Sequence, residues 1–278
     1  MTDVEYPSDD PFEEPAVGVS VVGVGDAGAA TVEAIETPTE VRLTTVVDGE
    51  VPPVETVADS EVPPVETVAD SDLCLLVADP SERGVADRAA TLLGAADRSV
   101  ETVLVTRSGI RPDAADRVDA VLDGTDLLLP VAAERVDHRL VAGAVADLFE
   151  CMLRPTVQDL GYGDVYALVG SAAIGASGEP RVGSLAVDHP VTGDRIVDCS
   201  PSATVPSPDA RAVFLCCGPD RSLAWRTERL DGYDRPEAGV ASLRDSRVHE
   251  RYAGSAHVKR FRTAEATEAE RRRVLTER

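Results

Sequence analysis

Short, unbroken apolar runs alternate with stretches whose apolar residues recur every three or four positions, and this alternation dominates the first half of the chain. Val17–Val22 reads as a buried strand. The turn Gly23-Val24-Gly25-Asp26-Ala27-Gly28 comes next, and Ala29–Glu36 then carries a helical period. Further strands are predicted at Val41–Val47, Leu73–Ala78, Thr102–Thr106 and Leu127–Pro130, with helices over Val85–Ala95 and Asp113–Leu122. Strands alternating with helices predict an α/β lobe built on a parallel sheet covered on both faces. The longest helical pattern is Ala132–Leu153, with Val136, Leu140, Ala144, Leu148 and Met152 at four-residue spacing and Pro155 just beyond.

The second half changes character. Asp164–Val169, Arg181–Val187 and Ala212–Cys217 read as strands joined by Gly/Pro/Ser-rich turns, which predicts a smaller α+β lobe behind the long helix. From Asp231 the periodicity fades, and Thr263–Arg278 reads as a charged, helix-prone tail that is mobile or docks on a partner. The expected organisation is an acidic, disordered segment 1–15, a lobe with its long helix over 16–153, a smaller lobe over 154–235 and a tail over 236–278. Between the second and third strands lies a perfect tandem repeat, Glu50–Ser60 and Glu61–Ser71, each copy reading EVPPVETVADS. Two Pro-rich copies are too few for a solenoid, so the reading is an enlarged surface loop at 50–71.

Composition adds a strong bias. The chain of 278 residues carries 50 acidic and 27 basic residues, a formal net charge of −23, and Lys259 is its only lysine. Such a surface repels nucleic acid and anionic membranes, and it suits a protein kept hydrated in concentrated salt. Met1–Glu14 has no apolar core segment, so a secretory signal is not expected, and no apolar run approaches the roughly 20 residues that span a bilayer. A cytoplasmic location is the expectation. Cys74, Cys151, Cys199, Cys216 and Cys217 form no CxxC pair, which predicts neither a zinc site nor a disulfide framework but small buried side chains.

The chemistry concentrates in the first glycine turn. A strand, GxGxxG and a helix together aim backbone N–H groups and a helix N-terminus at a phosphate. Asp48 lies 20 residues after Gly28, where a dinucleotide fold places the carboxylate that bonds a ribose hydroxyl. One reading is therefore an NAD(P)-binding oxidoreductase. Against it, His189, His249 and His257 sit in turn-rich or weakly patterned surroundings, Lys259 lies near the tail, and no Tyr-x-x-x-Lys pair supplies an acid or base. The other reading of the glycines is tight strand-to-helix packing alone.

Four separated segments resemble FtsZ, the prokaryotic relative of tubulin, in the family's order. They are Val21–Ile35 (VVGVGDAGAATVEAI), His138–Pro155 (HRLVAGAVADLFECMLRP), Thr156–Arg181 (TVQDLGYGDVYALVGSAAIGASGEPR) and Ala212–Trp225 (AVFLCCGPDRSLAW). They are similar to the first glycine loop and helix, the central helix, the synergy loop with its succeeding strand, and a late strand with its turn. The resemblance implies an FtsZ/tubulin-like α/β fold, a Rossmann-type lobe joined by a central helix to a smaller α+β lobe. It also implies GTP or GDP on Gly23, Gly25, Asp26, Gly28, Arg83 and His138, and Asp164 as the carboxylate that polarises water.

This sequence departs from the family in its second phosphate loop, at His138 and in the synergy loop. The second, glycine- and threonine-rich phosphate loop reads Ala78-Asp79-Pro80-Ser81-Glu82-Arg83-Gly84, where two carboxylates repel a triphosphate, Pro80 has no N–H and one glycine remains. His138 stands where the family has its guanine-reading asparagine. The synergy pattern Asn-x-Asp-x-x-Asp has become Asp159-Leu160-Gly161-Tyr162-Gly163-Asp164, which keeps Asp164 alone. The expectation is a pseudo-GTPase that binds FtsZ-family filaments or itself and modulates division or cell shape. The alternative within the family is a weak GTP- or GDP-binding protein, a GTPase if active, in which Arg83 substitutes for the lost loop.

Overall fold

The computed structural model describes residues 18–35, 42–46, 68, 71–96, 101–106, 109–132, 137–153, 162–169, 179–188, 196–200, 208–231, 241–248, 254 and 256–276. Strands β1 (Val19–Val24), β2 (Arg42–Val46), β3 (Leu73–Ala78), β4 (Glu101–Thr106) and β5 (Leu127–Pro130) pair in parallel in the order β2-β1-β3-β4-β5. Between them run helices α1 (Gly25–Glu33), α2 (Val85–Ala95) and, after a 3-10 turn at Pro112–Arg117, α3 (Val118–Asp123). Every residue of β1 and β3 is buried, as a parallel sheet covered on both faces requires.

Alternate residues feed two cores. Val19, Val21, Leu73, Leu75, Val77, Val103, Val105, Leu127 and Leu129 face the long helix α4 (His138–Leu153), whose Val141, Ala142, Val145 and Leu148 pack on them. Cys74, Leu76, Leu104 and Leu128 face the other way, toward Leu92 and Leu93 of α2 and Val121 and Leu122 of α3. The long helix starts six residues later than the period suggests. Asp137 sets this boundary, because its carboxylate accepts from the N–H of Arg139 at 3.0 Å and its carbonyl from Leu140 and Val141.

The sheet does not stop at β5. Strand β6 (Arg181–Asp188) extends it in parallel through Leu127↔Arg181 and Leu128↔Val182, and the path continues β6-β10-β8-β9, with β7 (Ile196–Asp198) paired to β6. Here β8 is Ala210–Cys217, β9 Ala241–Val248 and β10 Ala256–Glu265, and helix α6 (Leu223–Asp231) connects β8 toward β9. The apolar face under α4 runs on through Ala212, Phe214 and Phe261, and the two phenylalanines meet edge to face at 5.6 Å. Both halves of the chain therefore share one core surface.

Three sequence expectations are corrected here. Residues 162–169 form helix α5 (Tyr162–Val169), not a strand: Val165, Leu168 and Val169 are buried while Ala167 is exposed, which is the i, i+3, i+4 spacing of a helical face. The expected tail over 236–278 instead supplies β9, β10 and helix α7 (Glu268–Thr276). The strand was hard to read because Arg260 and Arg262 alternate with buried Val258, Phe261 and Thr263, and long arginine stems lie over apolar surface while keeping a polar look in sequence. Lys259, expected near the tail, is a buried residue of β10, and its Nζ donates to the carbonyl of Gly143 in α4 at 3.0 Å. Most of the repeat loop lies outside the described residues, as do Asp48 and the segment 1–15. The end of the second copy is no surface loop, since Val68 is buried in the core and Ser71 Oγ meets Ser20 Oγ at 2.6 Å.

Helix α7 closes the core beneath α3. Leu275 is fully buried there, its carbonyl accepts from Ile110 N at 2.7 Å, and the guanidinium of Arg271 donates to the carbonyls of Leu122 and Thr125 at the end of α3. Cys74, Cys199, Cys216 and Cys217 are buried, and burial pushes the Cys74 thiol up to about 12. Arg271→Met leaves two carbonyls without that donor and is expected to cost about 1.5–3 kcal/mol in urea unfolding. Arg272→Met, which removes only exposed contacts to Asp119 and Glu268, is expected to leave the urea midpoint almost unchanged.

Candidate functional site

The centre of the parallel sheet meets α1 with almost no intervening turn. Strand β1 runs through Val24 and the helix begins at Gly25, four residues earlier than the glycine pattern suggests. A methyl group on Gly23 would lie 2.5 Å from the carbonyl oxygen of Gly28, and one on Gly28 would lie 2.3 Å from the carbonyl oxygen of Val77 in β3. Those two glycines serve the close packing of α1 on β1 and β3. Gly25 has a different reason: its φ of +78° falls in the left-handed region, and a side chain there would run into the carboxylate of Glu82.

Glu82 comes from the segment after β3, the strand beside β1. Asp79 begins a tight turn in which its Oδ1 accepts from the N–H of Ser81 at 3.0 Å and from the Ser81 hydroxyl at 2.6 Å, and its carbonyl accepts from Glu82 N at 2.9 Å. Pro80 is buried, and Gly84 at φ +74° turns the chain into α2. The turn delivers the Glu82 side chain onto the first turn of α1. Its Oε2 accepts from Asp26 N at 2.8 Å and its Oε1 from Ala27 N at 3.0 Å. One carboxylate thus satisfies two of the four N–H groups that an α-helix leaves without partners, at the end where the helix dipole favours negative charge.

The other residues of the sequence reading are not gathered at this point. Arg83, adjacent to Glu82, is exposed and has no described contact with α1. Its charge contributes at Asp113, whose carboxyl is held below the usual range chiefly by its hydrogen bond to Arg111 and only in small part by Arg83. His138 opens α4, half-exposed, with Nδ1 3.0 Å from Asp137 Oδ1. Asp164 is the third residue of α5, whose described face packs against the core under α4; its side chain lies outside the described residues. Among the described residues no group of His, Cys, Asp and Glu could hold a metal ion, and no helix is long and apolar enough to cross a membrane.

The amides of Asp26 and Ala27 are taken by the Glu82 carboxylate, and Pro80, in the same segment, offers no N–H. The sequence singles out this segment but suggests only a repulsive part for Glu82. A carboxylate shortly after a strand was visible in the sequence, whereas its seat on amides 55 and 56 residues away depends on β1 and β3 being neighbours.

With this geometry in view, solved structures identify the architecture. The chain is similar to FtsZ from M. jannaschii in its empty dimer form, with a TM-score of 0.66 at 13% identity over 91% of this chain and 90% of that one. It is similar to TubZ from Bacillus thuringiensis serovar israelensis in GDP-form protofilaments, with a TM-score of 0.54 at 9% identity over 94% and 87% of the two chains. CetZ from Methanosaeta thermophila matches with a TM-score of 0.54 at 13% identity over 91% and 88%. No protein-family model and no curated protein sequence matches. The fold is that of the FtsZ/tubulin superfamily, an α/β lobe carried through a central helix into a second, mixed set of strands.

Two substitutions probe the site. Gly28→Ala drives a methyl group into the Val77 carbonyl and is expected to cost about 1–3 kcal/mol in urea unfolding. Glu82→Ala removes the acceptor from Asp26 N and Ala27 N and is expected to cost about 0.5–2 kcal/mol, as loss of a helix cap does.

Proposed function

We propose that this chain is a pseudo-GTPase of the FtsZ/tubulin fold that modulates cell division or cell shape by joining FtsZ-family filaments or by self-association. The observation that carries the reading is the seat of the Glu82 carboxylate on the amides of Asp26 and Ala27. Glycine loops at a helix N-terminus bind phosphate through amides of this kind, and here the chain supplies its own anion.

The cytoskeletal part of the proposal draws on the fold neighbours, among them an FtsZ dimer and protofilaments of TubZ in GDP and GTPγS forms. Hydrolysis in such an assembly needs the terminal phosphate clamped before water attacks. A subunit that keeps an end surface but fills its own phosphate seat adds to a filament without completing the next hydrolysis site. It therefore acts as a cap or a spacer. Asp164 on α5 is the one carboxylate of the synergy pattern that remains, and it has no clamped phosphate to serve.

Titration calorimetry with GTP and GDP in molar KCl and Mg²⁺ is expected to show no binding to the unaltered chain, while the chain co-pellets with an authentic FtsZ polymerised in the same buffer. Saturable binding of either nucleotide to the unaltered chain, or failure to co-pellet and to self-associate, overturns the proposal. Glu82→Gly is expected to bring nucleotide binding into the measurable range only if the remaining loop residues tolerate phosphate, and it reports how far the block rests on this one side chain.

A further inference from the structure

The sheet ends on two strands, and its two ends differ. The order runs from β2 to β9, and among the described residues no strand pairs with the outer edge of either. Strand β2 is 5 residues long and belongs to the strongly acidic part of the chain, since residues 1–208 contain 12 basic and 38 acidic residues. Strand β9 is 8 residues long and pairs with β8 in parallel along its whole length. Residues 209–278, which supply it, contain 15 basic and 12 acidic residues, so charge there is nearly balanced.

An edge of that length presents a row of backbone N–H and C=O groups to another strand. Charges along an edge usually keep such strands apart, but the order of charges in Ala241–Val248 (ASLRDSRV) does the opposite for one arrangement. Two copies that join edge to edge around a two-fold axis run antiparallel, and the axis sets one residue opposite itself. With Ser246 on the axis, Asp245 of each copy stands opposite Arg247 of the other, and Arg244 stands opposite Val248. Centring on Arg244, Asp245 or Arg247 instead sets two like charges face to face. Strand β2 carries no carboxylate, so it offers Arg244 and Arg247 no match.

We propose that β9 is a self-association surface, on which two copies of this chain pair their β9 strands antiparallel about Ser246, join their sheets into one and close as a dimer. Two Asp245–Arg247 pairs, one on each side of the axis, hold the register. Repulsion between two chains of net charge −23 works against any self-contact, and this contact brings together the parts in which acidic and basic residues balance. The inference rests on the self-association part of the functional reading and names its surface. The Glu82 seat at β1 and β3 lies toward the other end of the sheet, so nucleotide titration and co-pelleting decide that reading separately from the contact at β9.

The test is sedimentation of the full chain over a range of concentrations in about 0.3 M KCl, where a Debye length of about 5–6 Å screens distant acidic surfaces but not charges in contact. A monomer–dimer equilibrium is expected, with a dissociation constant on the order of 10–100 µM. Asp245→Arg and Arg247→Asp each set like charges opposite one another on both sides of the axis, and each is expected to weaken the dimer about tenfold. The double substitution Asp245→Arg/Arg247→Asp restores opposite charges on both sides and is expected to dimerise like the unaltered chain. Far-UV circular dichroism checks that each variant is folded. A chain that stays monomeric throughout that range, growth beyond a dimer, or folded single variants that dimerise unchanged overturns the proposal. So does a folded double variant that fails to regain the dimer.

Discussion

Helix α1 sits against β1 and β3 so closely that Gly28 has no room for a methyl group beside the Val77 carbonyl. That contact fixes the height at which α1 begins, and with it the position of its unpartnered amides above the edge of β3. The segment after β3 must then meet those amides or leave them to water. In this chain the turn at Asp79–Ser81 shortens the crossing to α2, and Glu82 drops onto Asp26 and Ala27. A side chain from a neighbouring segment thus answers amides that a helix start leaves to water or to a bound anion.

The first half of the fold was legible because its signals are local. Runs such as Leu73–Ala78 and the repeating apolar face of α2 predict their own conformations, and the glycine turn marked where strand met helix. Signals failed where a segment's identity depended on its neighbours. Residues 162–169 look like a strand by composition, and only the shared burial of Val165, Leu168 and Val169 shows the helical face. Strand β10 hid because Lys259, Arg260 and Arg262 resemble a solvated tail until β6 and β8 are placed on either side. Gly23, Gly28 and the segment 78–84 were singled out in sequence as candidates. The contact between Glu82 and α1 was not, because it exists only through the pairing of β1 with β3.

The two halves are tied by more than a shared apolar surface. The only lysine in the chain is buried on β10, and its ammonium group reaches the carbonyl of Gly143 midway along α4. Gly143 permits this approach, since a methyl group there would lie 3.1 Å from the Nζ. A buried charge held on a helix carbonyl is sensitive to small shifts, because an ammonium group that loses its acceptor in the interior is costly. The central helix and the second set of strands are therefore held in one relative position by a contact that tolerates little sliding.

Helix α7 completes the core under α2 and α3, with Arg271 and Leu275 reaching residues 110–125. In the order of synthesis, the first lobe emerges with its α3 carbonyls unanswered and an apolar face still open. The segment that covers it comes 149 residues later, counted from Leu122 to Arg271. Contacts of such long sequence separation slow folding and leave surface open to wrong partners in the meantime. The lobe that comes first off the ribosome is thus finished last.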